Sequence, residues 1–215
     1  MARRRKVGNL LALVVLSLLT ERPMHPYEMV SHMRERGTEY HLKVKWGSLY
    51  TVVGNLEKHG FIEATGTSRQ GRRPERTVYA ITDDGRAELT DWMRELVGVP
   101  EKEHLRFQAA LSILGVLHPD EAVRLLEQRV RLLDAEAAAS RAALEQLGKE
   151  IPRMFLIESE YEVALREAEA AWIRGLLAEL RDGSIPGVAG WREFHETGRL
   201  PAEFQHLVER SRPDD

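Results

Sequence analysis

The chain has 215 residues, room for one large domain or two small ones, and its 43% hydrophobic and 30% charged residues suit a folded protein with a real core. It contains no cysteine, which excludes disulfides and thiolate metal sites and fits a reducing compartment. The net charge of −3 conceals an asymmetry: residues 1–92 hold 15 Lys and Arg against 11 Asp and Glu, and the remainder 16 against 23, so a polyanion would meet the front of the chain.

Arg3, Arg4, Arg5 and Lys6 precede an apolar stretch at residues 10–19 and imitate a secretory leader. That stretch is about ten residues, too short to span a bilayer. Thr20, Glu21, Arg22 and Pro23 follow it in place of a small-residue cleavage site. A cytoplasmic protein with no membrane segment is expected. The basic run is then either a solvated terminus or an arm that reaches a minor groove or phosphates.

Residues 9–21 read as a helix that is apolar nearly all round, hence buried, and Pro23 ends it. Pro26 suits the first position of a second helix, where its missing N–H costs nothing. That helix carries Tyr27, Met29, Val30 and Met33 and stops at Gly37. A short polar link with Lys43 and Lys45 leads to a third helix. Its Leu49, Val52, Val53 and Leu56 share one face. Ser48, Thr51, Asn55 and Lys58 fall on the other side, short polar or cationic groups that can reach phosphates or base edges. Tyr50 lies at the border.

Gly60 stops this helix, and residues 61–67 and 77–82 are strand-like. Thr77, Tyr79 and Ile81 alternate with Val78 and Ala80, the period-2 pattern of a paired strand. Arg69, Arg72 and Arg73 sit on the hairpin tip between them, with Arg76 at its foot, and are suited to tracking a phosphate backbone. Taken alone, that loop could also be a solvated turn. Thr82 caps a fourth helix, and Asp83 and Asp84 favour the positive end of its dipole, which explains them better than a catalytic acid pair. Leu89, Trp92, Met93 and Leu96 follow before Gly98 and Pro100 break the helix. Helix, helix, helix, strand, strand, helix is winged helix-turn-helix order.

A helix over residues 104–117 is expected next, with Phe107, Leu111 and Leu114 as its core. Pro119, Asp120 and Glu121 open the longest element. In it Leu126, Val130, Leu133, Ala137, Ser140, Leu144 and Leu147 alternate spacings of 4 and 3, a heptad seam suited to pairing with a second copy. Pro152 starts another long helix, with Tyr161, Leu165, Ala168, Trp172 and Leu176 on one face and Gly183 as terminator. Beyond it, Trp191, Phe194, Phe204 and Leu207 could anchor short helices.

The histidines are scattered, no two at a metal-binding spacing with a carboxylate partner, and no Gly-rich phosphate loop leads into a helix. No catalytic residue, metal or cofactor is expected. Trp92, Met93, Tyr161 and Trp172 are apolar enough to line a ligand cavity, although core packing is the simpler reading.

Pro26-Tyr27-Glu28-Met29, Gly47-Ser48-Leu49-Tyr50, Leu56-Glu57-Lys58-His59-Gly60-Phe61-Ile62, and Arg72-Arg73-Pro74 followed by the run from Tyr79 to Gly85 resemble, in combination, PadR-type transcriptional regulators. Residues 104–182 are similar to the helical C-terminal domain of the virulence-activator branch, in the runs beginning at Pro119 and Glu169. Thr51 departs from the proline usual in the family. The resemblance implies a mainly α protein. An N-terminal winged helix-turn-helix with a small β-hairpin wing would occupy residues 1–98, a helical, coiled-coil dimerisation domain residues 103–183, and a C-terminal tail residues 184–215.

It also implies a homodimeric regulator of transcription, more often a repressor than an activator, bound to double-stranded DNA at an inverted-repeat operator and released by a small-molecule or stress signal. DNA binding falls to Lys43, Lys45, Ser48, Tyr50, Thr51, Asn55, Lys58, Arg69, Arg72, Arg73 and Arg76. Dimerisation falls to Leu126, Val130, Leu133, Ala137, Leu144, Leu147 and Trp172. The alternative is a winged helix serving protein association without DNA. It would want an uncharged recognition face and wing, against the cations just named.

Overall fold

Leucine and valine on nearly every side of residues 10–21 leave that helix nowhere to go but a core, and the computed structural model places it in one. The structure describes residues 5–36, 46–68, 76–100, 105–199 and 201. The chain divides into two compact units, Met1–Glu103 and His104–Asp215.

In the first unit, α1 (Leu10–Glu21) starts where the Asn9 side chain accepts the Leu11 N–H at 2.9 Å. Next come α2 (Pro26–Glu35), a 3-10 turn at Trp46–Ser48, and α3 (Leu49–Lys58). Strands β1 (Ile62–Ser68) and β2 (Arg76–Ile81) pair antiparallel, Ile62 opposite Ile81, with an irregularity between Ala64 and Gly66. Met24 bridges to Tyr79 through two backbone hydrogen bonds of 3.0 Å, which ties the sheet to the chain just before α2. Helix α4 (Asp83–Gly98) completes the unit. Leu16 and Leu19, Met29 and Met33, Leu49 and Leu56, Ile62, Ile81 and Trp92 meet in one core. Tyr27, by contrast, is exposed on α2, and Met93 and Leu96 are exposed on α4.

The start of α4 shows why this corner is so specific in sequence. Thr82 Oγ1 accepts the Gly85 N–H at 3.0 Å and donates to the Gly60 carbonyl at 2.7 Å, so one hydroxyl caps the helix and ties it to the end of α3. Gly60 turns the chain with φ of 74°. Gly85 is buried, and a Cβ there would stand 2.0 Å from the Phe61 carbonyl oxygen. No side chain fits.

Arg5 is not a free arm residue. Its side chain, 6% exposed, reaches Glu88 at 2.8 Å, Asp91 at 3.5 Å and Glu95, and its guanidinium lies 5.3 Å from the Trp92 ring. Burial works against its charge, and the bonds to Glu88 and Glu95 more than offset it.

The second unit begins with α5 (Arg106–Leu111), a 3-10 turn at Leu114–Val116 and the long α6 (Pro119–Leu147). The single helix expected over 104–117 is therefore broken. Ser112 turns its hydroxyl back to the Ala109 carbonyl, and Ile113, Gly115 and Val116 are weak helix formers. Pro152 opens only a 3-10 turn at Arg153–Phe155, and α7 (Ile157–Asp182) starts later than expected. It ends at Gly183 with φ of 73°.

Helices α6 and α7 form an antiparallel hairpin, and here the expected dimer contacts are corrected. Leu126 and Val130 are buried against Ile173 and Leu177, with Leu133 packed beside them. Ala137 is buried farther along α6, as are Val163 and Ala170 on α7. The seam is occupied by the chain itself. Leu126, Val130 and Ala137 are thus not available to a second copy, whereas Leu147 stays 45% exposed and Leu144 half-buried. The inward face of α7 is also rotated from the expected one: Tyr161, Leu165 and Trp172 point to solvent, with Trp172 54% and Tyr161 66% exposed.

The region expected as a tail contains α8 (Val188–Thr197). Trp191 Nε1 donates to the Leu117 carbonyl at 2.8 Å, Arg192 holds both carboxylate oxygens of Asp120 at 2.7 and 2.9 Å, and His195 Nε2 donates to the Gly115 carbonyl at 2.9 Å. Phe204 and Leu207 lie outside the described residues. Among the described residues, no helix is long and apolar enough to cross a membrane.

Candidate nucleic-acid interface

Helix α3 has two unlike faces because its apolar residues repeat at helical spacing. Leu49, Val52, Val53 and Leu56 are buried, and each turn of burial leaves the opposite side of the same turn in solvent. On that outer side Thr51, Gly54, Asn55 and Lys58 are exposed, with Tyr50 63% exposed at the border. Ser48 is half-buried where the 3-10 turn becomes the helix, and its side chain makes no capping bond. After Lys58 the chain turns at Gly60 and runs straight into β1, so the outer face of α3 and the hairpin belong to one continuous segment.

The expected contact residues are thus placed unevenly. Tyr50, Thr51, Asn55 and Lys58 share the outer side of α3, and Ser48 stands at its start. Arg76 begins β2, its backbone opposite Ser68. Lys43, Lys45, Arg69, Arg72 and Arg73 lie outside the described residues.

Beside α3, the start of α2 and β2 leave a notch of about 270 Å³, bounded by His25, Tyr50, Gly54, Thr77 and Tyr79. Burial, and then the charge and hydrogen bond of Glu57, push the Tyr79 phenol above its ordinary value, so it stays a neutral hydroxyl. His25 Nδ1 accepts the Tyr27 N–H at 2.9 Å, and the Glu28 carboxylate accepts the His25 N–H at 2.9 Å, a reciprocal cap that sets α2 at the edge of the notch. Sequence reasoning passed over Gly54. Its signal was present: a glycine in the middle of a strong helical pattern.

The outer side of α3 thus presents short polar and cationic side chains beside the notch. Among the described residues, no group of three or more side chains could hold a metal ion. Residues 15–91, from within α1 to within α4, match the model of the transcriptional regulator PadR-like family. Over that stretch the chain is similar to PadR-like regulators.

The chain is 25% identical over 139 residues to the negative transcriptional regulator PadR of Bacillus subtilis, across 65% of its own length and 75% of that protein. It superposes on the crystal structure of Bacillus subtilis PadR in complex with operator DNA with a TM-score of 0.64 at 22% identity, covering 80% of this chain and 99% of that one. The same protein in complex with p-coumaric acid gives a TM-score of 0.64 at 20% identity, again covering 80% and 99%. The Vibrio cholerae virulence activator AphA gives 0.56 at 19%, covering 80% and 98%. At such identities the likeness is one of fold: a winged helix followed by a helical unit.

Proposed function

We propose that this protein is a PadR-like regulator, a dimeric repressor that binds an inverted-repeat operator and lets go when a small-molecule effector arrives. The observation that carries the reading is the outer face of α3. It is short, polar and cationic at Thr51, Asn55 and Lys58, on a helix whose other face is locked in the core. Such a helix can lie in the major groove while the arginine-bearing hairpin follows the backbone. Binding to chromosomal DNA sets its place of work in the cytoplasm.

A single winged helix discriminates poorly, because one module covers only about 600–1,000 Å². The α6 seam is used within the protomer, so the second copy takes the outer stripe of α7, where Ile157, Tyr161, Leu165 and Trp172 are exposed. Leu165 and Trp172 also border a groove of about 530 Å³ with Phe107, Leu111 and Arg129. The Arg129 guanidinium stands 4.0 Å above the Phe107 ring and is held by Glu169 at 2.5 Å. A ligand there would touch the dimer contact, which couples its arrival to half-site spacing.

Selection of random duplexes by the purified protein tests this. The expected result is an inverted repeat whose half-sites lie about one turn, roughly 34 Å, apart. Arg72→Ala with Arg73→Ala should then flatten the dependence of log K on log salt by about two phosphate contacts. A pool left unenriched would overturn the proposal.

A further inference from the structure

Two glycines of the first unit answer to different demands. Gly85 is required by the fold, since a Cβ there would strike the Phe61 carbonyl oxygen. Gly54 is not. It lies inside α3, it is not among the glycines with positive φ, and a Cβ built on it meets nothing within 4 Å. A glycine inside a helix weakens folding by roughly a factor of five in the equilibrium relative to alanine. Here neither packing nor backbone geometry gives anything in return.

Its position supplies the reason. Gly54 sits on the centre line of the outer face, between Thr51 one turn before and Lys58 one turn after. It also opens into the notch beside Tyr50 and Tyr79. Thr51 and Asn55 beside it are short; the long neighbours are Tyr50 and Glu57 at the edge, the latter turned to Tyr79, and Lys58 at the end. A helix with its side chains is about 10–12 Å across, and the major groove is about 12 Å wide, so depth of entry is set by the side chains at the centre of the leading face.

We infer that Gly54 is a clearance for duplex DNA. The missing side chain lets α3 sink until its backbone at Gly54 closes on the edge of an operator base pair. The short Thr51 and Asn55 then come within reach of bases that a longer central residue would hold away. Gly54 thereby sets specificity by depth, without a hydrogen bond of its own. The inference rests on the operator-binding reading and deepens it. The occupant is the major groove, because the same face presents Lys58 and hydroxyl and amide groups rather than an apolar stripe.

The test compares the full-length wild type with Gly54→Ala and Gly54→Gln in three measurements. These are thermal denaturation, affinity for the duplex enriched by the wild type, and affinity for an unrelated duplex at low salt. Gly54→Ala should melt at a higher temperature and yet bind the enriched duplex about tenfold more weakly, and Gly54→Gln about a hundredfold more weakly. Binding to the unrelated duplex, which needs no deep entry, should change by less than about twofold. Equal operator affinity in all three proteins would overturn the inference while leaving operator binding intact. A lower melting temperature for Gly54→Ala would also overturn it, because the glycine would then serve the fold. A wild type that enriches no sequence would overturn operator binding and this inference together.

Discussion

Asp134 and Arg174 face one another across the α6–α7 hairpin, with Arg174 Nη2 at 2.5 and 2.6 Å from the two carboxylate oxygens. They are the middle rung of a ladder. Glu127 with Arg181 and Arg141 with Glu167 lie one heptad to either side on both helices. On the other flank Arg129 meets Glu169 and Glu136 meets Arg166 at 3.2 Å. Charges that repeat with the seam and match only the antiparallel alignment pin its register, as e and g positions do in a coiled coil.

Asp134→Arg should therefore destabilise the second unit by setting two arginines opposite each other. Both side chains are about half exposed, so the coupling is about 0.2–1 kcal/mol. The swapped pair Asp134→Arg with Arg174→Asp should recover most of it. Urea denaturation of the two single variants, the double variant and the wild type measures the coupling; strict additivity would remove the ladder as a determinant of register.

Neighbouring residues on α7 should behave oppositely. Ile173 is fully buried against Leu126 and Val130, and Ile173→Ala should cost about 2–5 kcal/mol and loosen the hairpin. Trp172 faces solvent, so Trp172→Ala with Tyr161→Ala should leave the helical circular dichroism spectrum and the melting temperature nearly unchanged while shifting sedimentation from dimer to monomer. A double variant that remains dimeric would place the contact elsewhere.

Gly85→Ala should be among the most damaging single-methyl changes in the chain. The added carbon would lie 2.0 Å from the Phe61 carbonyl oxygen, which is backbone and cannot rotate aside. A loss of about 2–4 kcal/mol is expected, measured by thermal unfolding of the first unit's signal from Trp92. A loss below the cost of an ordinary surface change would mean that the Phe61 turn is not rigid.

Glu28 provides a pH-dependent contribution. The His25 N–H bond holds its carboxyl below the ordinary 4.5 despite partial desolvation, with Arg22 assisting. A depressed folded-state value means that the stabilisation is present above about pH 4.5 and is lost as pH falls through the folded value. Because the side chain is nearly half exposed, Glu28→Ala should cost only about 0.5–1 kcal/mol at neutral pH. The variant and wild type should converge on acidification. A gap that persists at pH 3 would assign the loss to helix propensity rather than to the cap.

The winged helix was legible in sequence because its signals are local. Pro26 at the start of α2, the four apolar residues of α3, the Thr82 cap and the alternation of β2 each act within a few residues, and the elements form where those residues stand. What Arg5 does was not legible, since its partners Glu88, Asp91 and Glu95 are more than eighty positions away. The break after Leu111 was missed for a different reason: apolar spacing at Phe107, Leu111 and Leu114 outweighed the weak propensity of residues 113–116.

The heptad seam marks the division most clearly. Spacing alone determined that residues 126–147 form a helix with one apolar edge, and that α7 would be long and end at Gly183. It could not determine what covers that edge. A repeat of 4 and 3 is satisfied equally by a second copy or by another helix of the same chain, because hydrophobic burial has no direction and names no partner. The tertiary structure decided for α7, where the turn at residues 148–156 folds Arg174 back onto Asp134 and two rungs repeat the match. The same decision turned Tyr161 and Trp172 outward, since a helix that buries Ile173 and Leu177 on one side must expose the residues on the other.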